Sequence, residues 1–384
     1  MTADALAGLF ALNVLYAAAG LAALWLLRGP STWRDAVRLG GLAYLVGVAV
    51  VGASWTLLLV AGVPFSGWLV VATPLAVVCV AVLGGVRIGR RRPRAGSIPG
   101  NVGLLVAAAG AGATVVFLEA LFRSARLHGL YAWDAWSFWV PKGMAIYFFG
   151  ELDEEFFTQL PGASYPPLLP ALEAASFHAM GGPDVVTLHV QFWFFGAGFL
   201  WALAGLLAER VPPLVLWPIV LLLVVAPRVG RRMVIPEADL LLGYFVTLAA
   251  LLLAYWMLER RGGDLVLATI LLGAAVLTKR EGMLLATALL VSAALATGRT
   301  WRRSWPALAL AAAIVAVIGA PWRVWYLVRD VPSEAPPGGL FGDLDRAWPS
   351  LRLALEALLD ASWWGVAVSV ALGSLVVGVL AKRV

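Results

Sequence analysis

Long apolar runs without a regular polar face dominate this chain. Residues 214–226 and 284–296, for example, contain no charged side chain. The runs do not alternate between apolar and polar residues, as the strands of a membrane β-barrel would. A helix is the other structure that satisfies every backbone hydrogen bond within lipid. The pattern therefore predicts an all-α membrane protein whose helices cross the bilayer.

The apolar runs predict about eleven transmembrane helices, since a spanning helix needs roughly 20 mostly apolar residues. The predicted spans lie near residues 6–27, 39–62, 67–87, 101–122, 184–208, 212–228, 237–258, 264–279, 282–298, 305–327 and 363–381. A further apolar stretch, residues 165–180, is expected to form a short helix that docks at the membrane surface or dips part-way into it. The alternative is a true span there, with 212–228 broken at its prolines.

Composition agrees with this pattern and excludes a soluble protein. The 384 residues are 62% hydrophobic and only 13% charged, whereas soluble domains carry about 25% charged residues. The single cysteine, Cys79, excludes an intrachain disulfide. The net charge of +6 comes mostly from arginines at predicted helix ends. We interpret that charge as setting helix orientation, and nucleic-acid binding is not expected.

Basic residues concentrate in cytoplasmic loops of membrane proteins, and here they follow alternate spans. They are Arg28, Arg34 and Arg38, then Arg87, Arg90, Arg91, Arg92 and Arg94, then Arg260 and Arg261, then Arg299, Arg302 and Arg303, and finally Lys382 and Arg383. Placing all of them inside gives an external N-terminus and an internal C-terminus, which agrees with eleven spans. Connections 123–183, 228–237, 279–281 and 328–362 then face outward.

This topology divides the chain into three segments. The predicted segments are an N-terminal three-helix membrane segment (1–100), a membrane core with the outer loop 123–183 (101–330), and an outer loop with the last span (331–384). Residues 333–342 are rich in proline and glycine and precede an amphipathic stretch, 344–359. We expect this second outer loop to cover the cavity below it.

The first outer loop contains an aspartate among aromatic residues. Trp133, Trp136 and Trp139 recur at every third position around Asp134. Tryptophan favours the headgroup layer, so the segment is expected to lie along the outer membrane face. An interfacial anchor would explain the tryptophans but not the carboxylate, which is costly to desolvate without a partner. Asp134 is therefore the first candidate for a functional residue.

Three further motifs follow in order. They are Tyr165-Pro166-Pro167-Leu168, then Arg231-Arg232-Met-Val-Ile-Pro-Glu237-Ala-Asp239, then Leu277-Thr-Lys279-Arg280-Glu281-Gly282. Together with the loop aspartate, and on one predicted side of the membrane, they resemble the GT-C superfamily. The closest likeness is to the dolichyl-phosphate-mannose protein mannosyltransferase-like group, glycosyltransferase family 39, over residues 101–330.

This resemblance implies roles for individual residues. The loop aspartate of such enzymes is the catalytic base, which here would be Asp134. Many relatives have a second acidic residue beside it, whereas this chain has Ala135. A second carboxylate could come from Glu237 across the cavity or from 153–155. No zinc-ligand spacing is present, so we expect no metal site and no required cofactor, with a divalent cation as the open alternative.

The implied donor is a sugar on a polyprenyl phosphate, whose leaving phosphate needs cations in a shielded site. The candidates are Arg231, Arg232, Lys279, Arg280 and Lys142, and the alternative for each is that it reaches out to lipid headgroups. Trp133, Trp136, Tyr165, Pro166 and Pro167 are the expected substrate-loop residues.

The sequence thus predicts a multi-pass glycosyltransferase in the plasma (inner) membrane, with its active site facing outward. Its partners would be the lipid-linked sugar, an acceptor of unidentified class and the bilayer. A secondary transporter or flippase and a non-catalytic scaffold are the alternatives. A transporter would need ionisable residues along a path through the membrane, but none lies within 39–62 or 67–86.

Overall fold

The computed structural model describes residues 1–30, 32–90, 102–298, 301–331 and 344–381, and this part of the chain contains helices but no β-strand. The helices are α1 Ala3–Leu27, α2 Trp33–Arg38, α3 Gly40–Val60, α4 Gly67–Arg87, α5 Val102–Ala125, a π-helix Ala135–Trp139, α6 Val140–Phe149, α7 Glu154–Gln159, α8 Leu168–Met180, α9 Val185–Leu207, α10 Pro213–Val225, α11 Pro227–Arg232, α12 Ala238–Glu259, α13 Gly262–Thr278, α14 Glu281–Ala296, α15 Trp301–Val328, a 3₁₀ turn Leu344–Arg346, α16 Ala347–Leu359, α17 Ala361–Trp364 and α18 Ala367–Ala381. The predicted all-α class is confirmed.

Ten of the eleven predicted spans each coincide with one main helix, whereas the last, 363–381, covers the end of α17 and the whole of α18. Seven of them, α1, α3, α4, α5, α9, α12 and α15, are long and apolar enough to cross a membrane, and α10, α13 and α14 are shorter apolar helices. The chain is therefore an integral multi-pass membrane protein, while the number of eleven crossings stays a prediction. Parts of the predicted basic loops (91–94, 299 and 382–383) and the proline-rich loop 333–342 lie outside the described residues.

The connections between helices gather at two opposite ends of the bundle. At one end, Arg28 of α1 pairs with Glu209 after α9 and with Asp264 of α13, each at 3.5 Å. We call this the Arg28 end. At the other end, which we call the Asp134 end, the N-terminal ammonium group pairs with the Asp184 carboxylate at 3.7 Å. The first outer loop also contacts the segment that follows α3 at this end. Within the described ranges, the predicted inward connections lie at the Arg28 end and the predicted outward ones at the Asp134 end.

Helix α8 differs from the expectation for residues 165–180. Its 13 residues extend only about 20 Å, so it is a short helix as expected. Nearly all of its side chains are buried against α1, α3 and α6, so it packs inside the bundle and not along its outside, and its part-way entry into the membrane stays a prediction. The helix has apolar residues on all sides, including Leu169, Leu172 and Phe177. A helix of this kind is stable inside a bundle but not at an interface.

Glycines set the distance between α1 and α3, the closest helix pair near the N-terminus. A Cβ on Gly20 would lie 1.6 Å from the Ala43 carbonyl oxygen, and one on Gly47 would lie 1.9 Å from that of Tyr16. Small residues at such contacts allow membrane helices to pack backbone against backbone. The two glycines therefore determine how tightly this part of the bundle closes.

Gly47→Ala is expected to destabilise the protein, because the methyl group would force α1 and α3 apart. The expected loss is about 1–3 kcal/mol, measured as a lower melting temperature in detergent. Gly112→Ala in α5 is the matched control, since no atom lies within 4 Å of a Cβ there. Equal melting temperatures for the two variants would contradict the proposed close contact.

Candidate active site

Asp134 lies where the outer loop enters the bundle. It directly precedes the π-helix Ala135–Trp139, which continues into α6. Single π turns within helices often occur at functional sites. Trp133 and Trp136 are 57% and 51% exposed, as an interfacial segment requires. Trp139 is buried, so its predicted place at the surface is wrong. The wider π turn rotates it out of the every-third-residue pattern.

Tyr165 connects this loop to the turn between α13 and α14. Its ring stacks on Trp139, with centroids 5.4 Å apart and planes within 8° of parallel. The Lys279 ammonium lies 5.6 Å from the same ring and the Arg280 guanidinium 5.4 Å from it. Cations over an aromatic face are attracted by its quadrupole. Tyr165 thus brings the aromatic loop and two predicted site cations into one region.

Buried hydrogen bonds fix the turn that presents Tyr165. Lys142 Nζ donates to the Gly162 carbonyl at 2.6 Å, and Trp322 Nε1 donates to the Ser164 carbonyl at 3.1 Å. Gly162 has a φ of 63°, and a Cβ there would lie 2.7 Å from the Tyr165 ring. Lys142 is fully buried. It therefore holds the turn and is not accessible to a phosphate.

Pro166 and Pro167 follow this turn and are buried at the start of α8. A proline fixes its own φ and lacks the amide hydrogen that the first helical turn does not use. The two prolines thus set where α8 begins and keep Tyr165 outside it. They shape the site without presenting a polar group to it.

A network of charged groups joins the chain segment before α12 to the turn after α13. Arg232 forms an ion pair with Glu237 and lies 3.4 Å from Asp239. Lys279 Nζ donates to Asp239 at 2.5 Å and lies 3.8 Å from Glu281. We call these five residues the charge cluster. The Lys279 side chain is only 13% exposed and that of Glu237 only 7%.

Electrostatics place Asp134 beside this cluster. Burial raises the pKa of Glu237, Arg232 lowers it, and the charges of Asp239 and Asp134 raise it again, with a net increase. Burial lowers the pKa of Lys279, but the hydrogen bond and charge of Asp239 outweigh that effect and raise it. Lys279 is therefore firmly cationic, and Asp134 is close enough to Glu237 for their charges to interact.

A cavity lined by three arginines adjoins the cluster. Helix α11 carries Arg228, Arg231 and Arg232 at positions that share one helix side. The cavity has a volume of about 460 Å³. Tyr131 and Trp363, the latter in α17, also line it. The Arg228 guanidinium lies 4.0 Å from the Trp363 ring centroid. We call this the arginine cavity.

The three arginines differ in how their charge is compensated. Arg232 is paired with acids of the charge cluster. Among the described residues, neither Arg228 nor Arg231 lies within 4.0 Å of a carboxylate oxygen. The arginine cavity therefore carries excess positive charge, which suits an anion such as a phosphate.

Residues 166–325 match the family model of dolichyl-phosphate-mannose-protein mannosyltransferase. The predicted resemblance is confirmed over this segment. This segment of the chain is therefore similar to a family of membrane mannosyltransferases. No curated protein and no solved structure matches the chain.

The segment that matches the mannosyltransferase family model runs from the start of α8 into α15. It contains the charge cluster and α11, so both lie in the part of the chain that is similar to this family. Asp134 and Trp363 lie outside the matched residues. Their contribution to the site rests on the geometry of this chain alone.

Several residues of the site were not among those predicted from the sequence. Asp239 accepts from Lys279, and Arg228 and Tyr131 line the arginine cavity. The spacing of Arg228 from Arg231 and Arg232 on one short helix was a signal that could have identified it. Trp363 had no such signal, because it comes from a helix more than a hundred residues later in the chain.

Glu173 is a buried acid next to the aromatic loop. It lies in α8, is 1% exposed, and neither carboxyl oxygen has a hydrogen-bond partner among the described residues. It faces Gly143 of α6, where a Cβ would lie 2.8 Å from Glu173 Oε2. Burial raises the pKa of Glu173 well above its ordinary value of 4.5. The carboxyl is therefore protonated in the folded protein well above pH 4.5.

Glu173 should make stability fall as pH rises. The unfolded chain loses this proton near pH 4.5 and the folded chain only at higher pH, so unfolding releases a proton between these values. Glu173→Gln should remove this effect. The melting-temperature advantage of the variant over the parent should therefore grow from pH 5 to pH 8. The exposed Glu155, changed to Gln, should show a difference that does not vary with pH. A constant difference for both variants would mean that Glu173 ionises normally.

Proposed function

We propose that the protein transfers a sugar from a polyprenyl phosphate to an acceptor hydroxyl on the non-cytoplasmic side of the membrane. The observation that supports this most is the meeting of three features at one end of the bundle. These are the loop aspartate Asp134, the charge cluster, and the arginine cavity with its uncompensated Arg228 and Arg231. Helices far apart in sequence contribute them, which is typical of an assembled site.

The proposed orientation follows from the basic residues of the Arg28 end. They are Arg28, Arg34, Arg38, Arg87, Arg90, Arg210, Arg260, Arg261, Arg302 and Arg303. These residues lie in or next to short connections between helices, and basic residues in short connections favour the cytoplasm. The Asp134 end then faces outward, and in a plasma (inner) membrane it would meet lipid-linked donors in the outer leaflet.

In the proposed reaction, the acceptor oxygen attacks the anomeric carbon of the donor sugar. The bond between that carbon and the phosphate oxygen breaks, and its electron pair stays on the lipid phosphate. The acceptor proton passes to the Asp134 carboxylate and from there to solvent. Direct displacement of this kind inverts the anomeric centre. It needs no covalent intermediate on the enzyme and, in our proposal, no bound cation.

The cations have separate tasks in this mechanism. Arg228 and Arg231 would bind the phosphate, since their charge is not used within the protein. Arg280 has a buried Nη1 without a hydrogen-bond partner in the described structure, and it would donate to the phosphate or the sugar. Arg232 and Lys279 are neutralised by Glu237 and Asp239, so they would position those acids. Donors fixed in advance stabilise the charge that develops on the leaving group.

Asp134→Asn should reduce sugar transfer by about 100-fold or more, because the amide cannot accept the acceptor proton. The measurement is transfer from a radiolabelled polyprenyl-phosphate sugar in proteoliposomes, with and without a chelator. Glu151→Gln is the control, since it removes an exposed carboxylate from the same loop.

The expected result is normal transfer by the control and no effect of the chelator on the parent protein. Equal transfer by the parent and Asp134→Asn would remove Asp134 from the mechanism. If the chelator abolishes transfer and a divalent cation restores it, the mechanism without a bound cation is wrong.

Arg228→Gln and Arg231→Gln should each weaken donor binding, because each removes a charged donor to the phosphate. We expect KM for the donor to rise by about tenfold or more. Arg126→Gln removes an exposed arginine at the same end of the bundle and should change KM little. A similar change in all three would indicate that the arginines only attract anionic lipid in general.

A further inference from the structure

His189 of α9 is a buried polar residue that contacts the connection between α11 and α12. Its side chain is in a residue only 1% exposed, and its Nδ1 donates a hydrogen bond to the Val234 carbonyl oxygen at 2.7 Å. Nδ1 carries the proton here, because a backbone carbonyl can only accept. Residues 233–237 form the non-helical connection that runs from Arg232 to the start of α12. His189 therefore holds this connection between the arginines of α11 and the acids of the charge cluster.

The same face of α9 makes two further contacts in this region. Trp193 and Gly196 follow His189 by four and seven residues, so the three positions share one helix face. Trp193 Nε1 donates to the Leu118 carbonyl oxygen of α5 at 2.7 Å. A Cβ on Gly196 would lie 2.3 Å from Met233 Cγ, so the Met233 side chain fills the place of the missing one. Helix α9 thus supports both α5, which leads into the first outer loop, and the connection before α12.

The His189 ring also faces the first outer loop. The backbone of Gly129 is near enough to interact with the imidazole, and Gly129 precedes Asp134 by five residues. Nε2 is buried and has no hydrogen bond of normal geometry among the described residues. The imidazole thus lies between the loop that carries Asp134 and the connection that carries Glu237, and it is bonded to the connection.

The bond to Val234 controls the position of the connection because both partners are buried. Val234 is 4% exposed, and a buried carbonyl without a donor costs more free energy than the hydrogen bond itself contributes. Without His189, the connection would have to move to reach another donor. The movement would spread to α11, because the Met233 amide donates to the Val229 carbonyl at 2.9 Å and the Ile235 amide to the Arg232 carbonyl at 3.1 Å.

We propose that His189 is a positioning residue of the candidate active site, which holds Val234 and so aligns the arginines of α11 and Glu237 with Asp134. This rests on the proposed function, since it concerns how that site is aligned. His189 acts from behind the site and need not touch the donor. A misplacement of about 1 Å can slow an enzyme about 100-fold. Loss of the hydrogen bond should therefore impair donor binding and transfer in protein that is still folded.

Three variants of α9 separate positioning from a purely structural role. His189→Asn keeps an amide N–H near the position of Nδ1, whereas His189→Leu has no donor. Gln191→Leu is the matched control, because it removes a polar side chain that is equally buried, at 1% exposure. The Gln191 amide exchanges hydrogen bonds of 2.9 and 3.1 Å with Asn13 of α1. Two residues along a helix turn by about 200°, so Gln191 points away from the site.

His189→Leu should raise KM for a polyprenyl-phosphate sugar about tenfold and lower kcat, while His189→Asn should stay within about threefold of the parent. Gln191→Leu should lower the melting temperature without changing KM, because KM does not depend on the fraction of protein that is folded. An unchanged KM in His189→Leu would overturn the proposal, and so would equal damage by Leu and Asn. If His189→Leu does not fold, His189→Gln replaces it, since its amide lies near the position of Nε2. The same rise in KM is expected, and an unchanged KM would again overturn the proposal.

Hydrogen exchange tests the contact without turnover. In the full chain in nanodiscs, His189→Leu should speed amide exchange in peptides that cover 228–237 by about tenfold, and Gln191→Leu should not. Unchanged exchange there would overturn the proposal. If exchange rises as expected but the parent transfers no sugar from any prenyl-phosphate donor, the contact stands and the proposed function is wrong. If the parent transfers sugar and His189→Leu matches it in exchange and KM, only the role of His189 is wrong.

Discussion

Asp239 holds together two parts of the chain that are 40 residues apart. It accepts a hydrogen bond from Lys279 and lies beside Arg232, which in turn pairs with the largely buried Glu237. Removing a single charged side chain from water at a membrane boundary costs much free energy. The cost is smaller when opposite charges form ion pairs and hydrogen bonds with each other. This mutual neutralisation allows four ionised side chains to sit between apolar helices. It also fixes α12 and α13 relative to each other at the end where the site forms.

The same compensation makes the arginine cavity distinct. Since the acids of the charge cluster are committed to Arg232 and Lys279, Arg228 and Arg231 keep their charge available for a ligand. Trp363 lies on Arg228 and limits its access to water. A phosphate entering this cavity would therefore meet two guanidinium groups whose positions are set by α11.

The helices and their approximate bounds could be predicted from the sequence because membrane length imposes a simple rule on apolar runs. The arginines also indicated which connections share an end of the bundle, and which end faces outward stays a prediction. The burial of Trp139, Lys142 and α8 could not be predicted, since local pattern does not show which helices pack around a segment. The every-third-residue spacing of the tryptophans was misleading because the π-helix changes the register. Asp134, Glu237, Arg232 and Lys279 do lie at one end, and their roles there stay predictions.

The missing side chain at Gly110 has a consequence for the surface of the bundle. It lets the Trp217 ring of α10 lie against the backbone of α5, where a Cβ would be 2.3 Å from Trp217 Cγ. One depression between these helices includes Arg231 and lies toward the Asp134 end, and another includes Arg38 and Trp217 and lies toward the Arg28 end. Position 110 therefore controls how α5 and α10 meet, since any side chain there would push the indole aside and reshape the second depression.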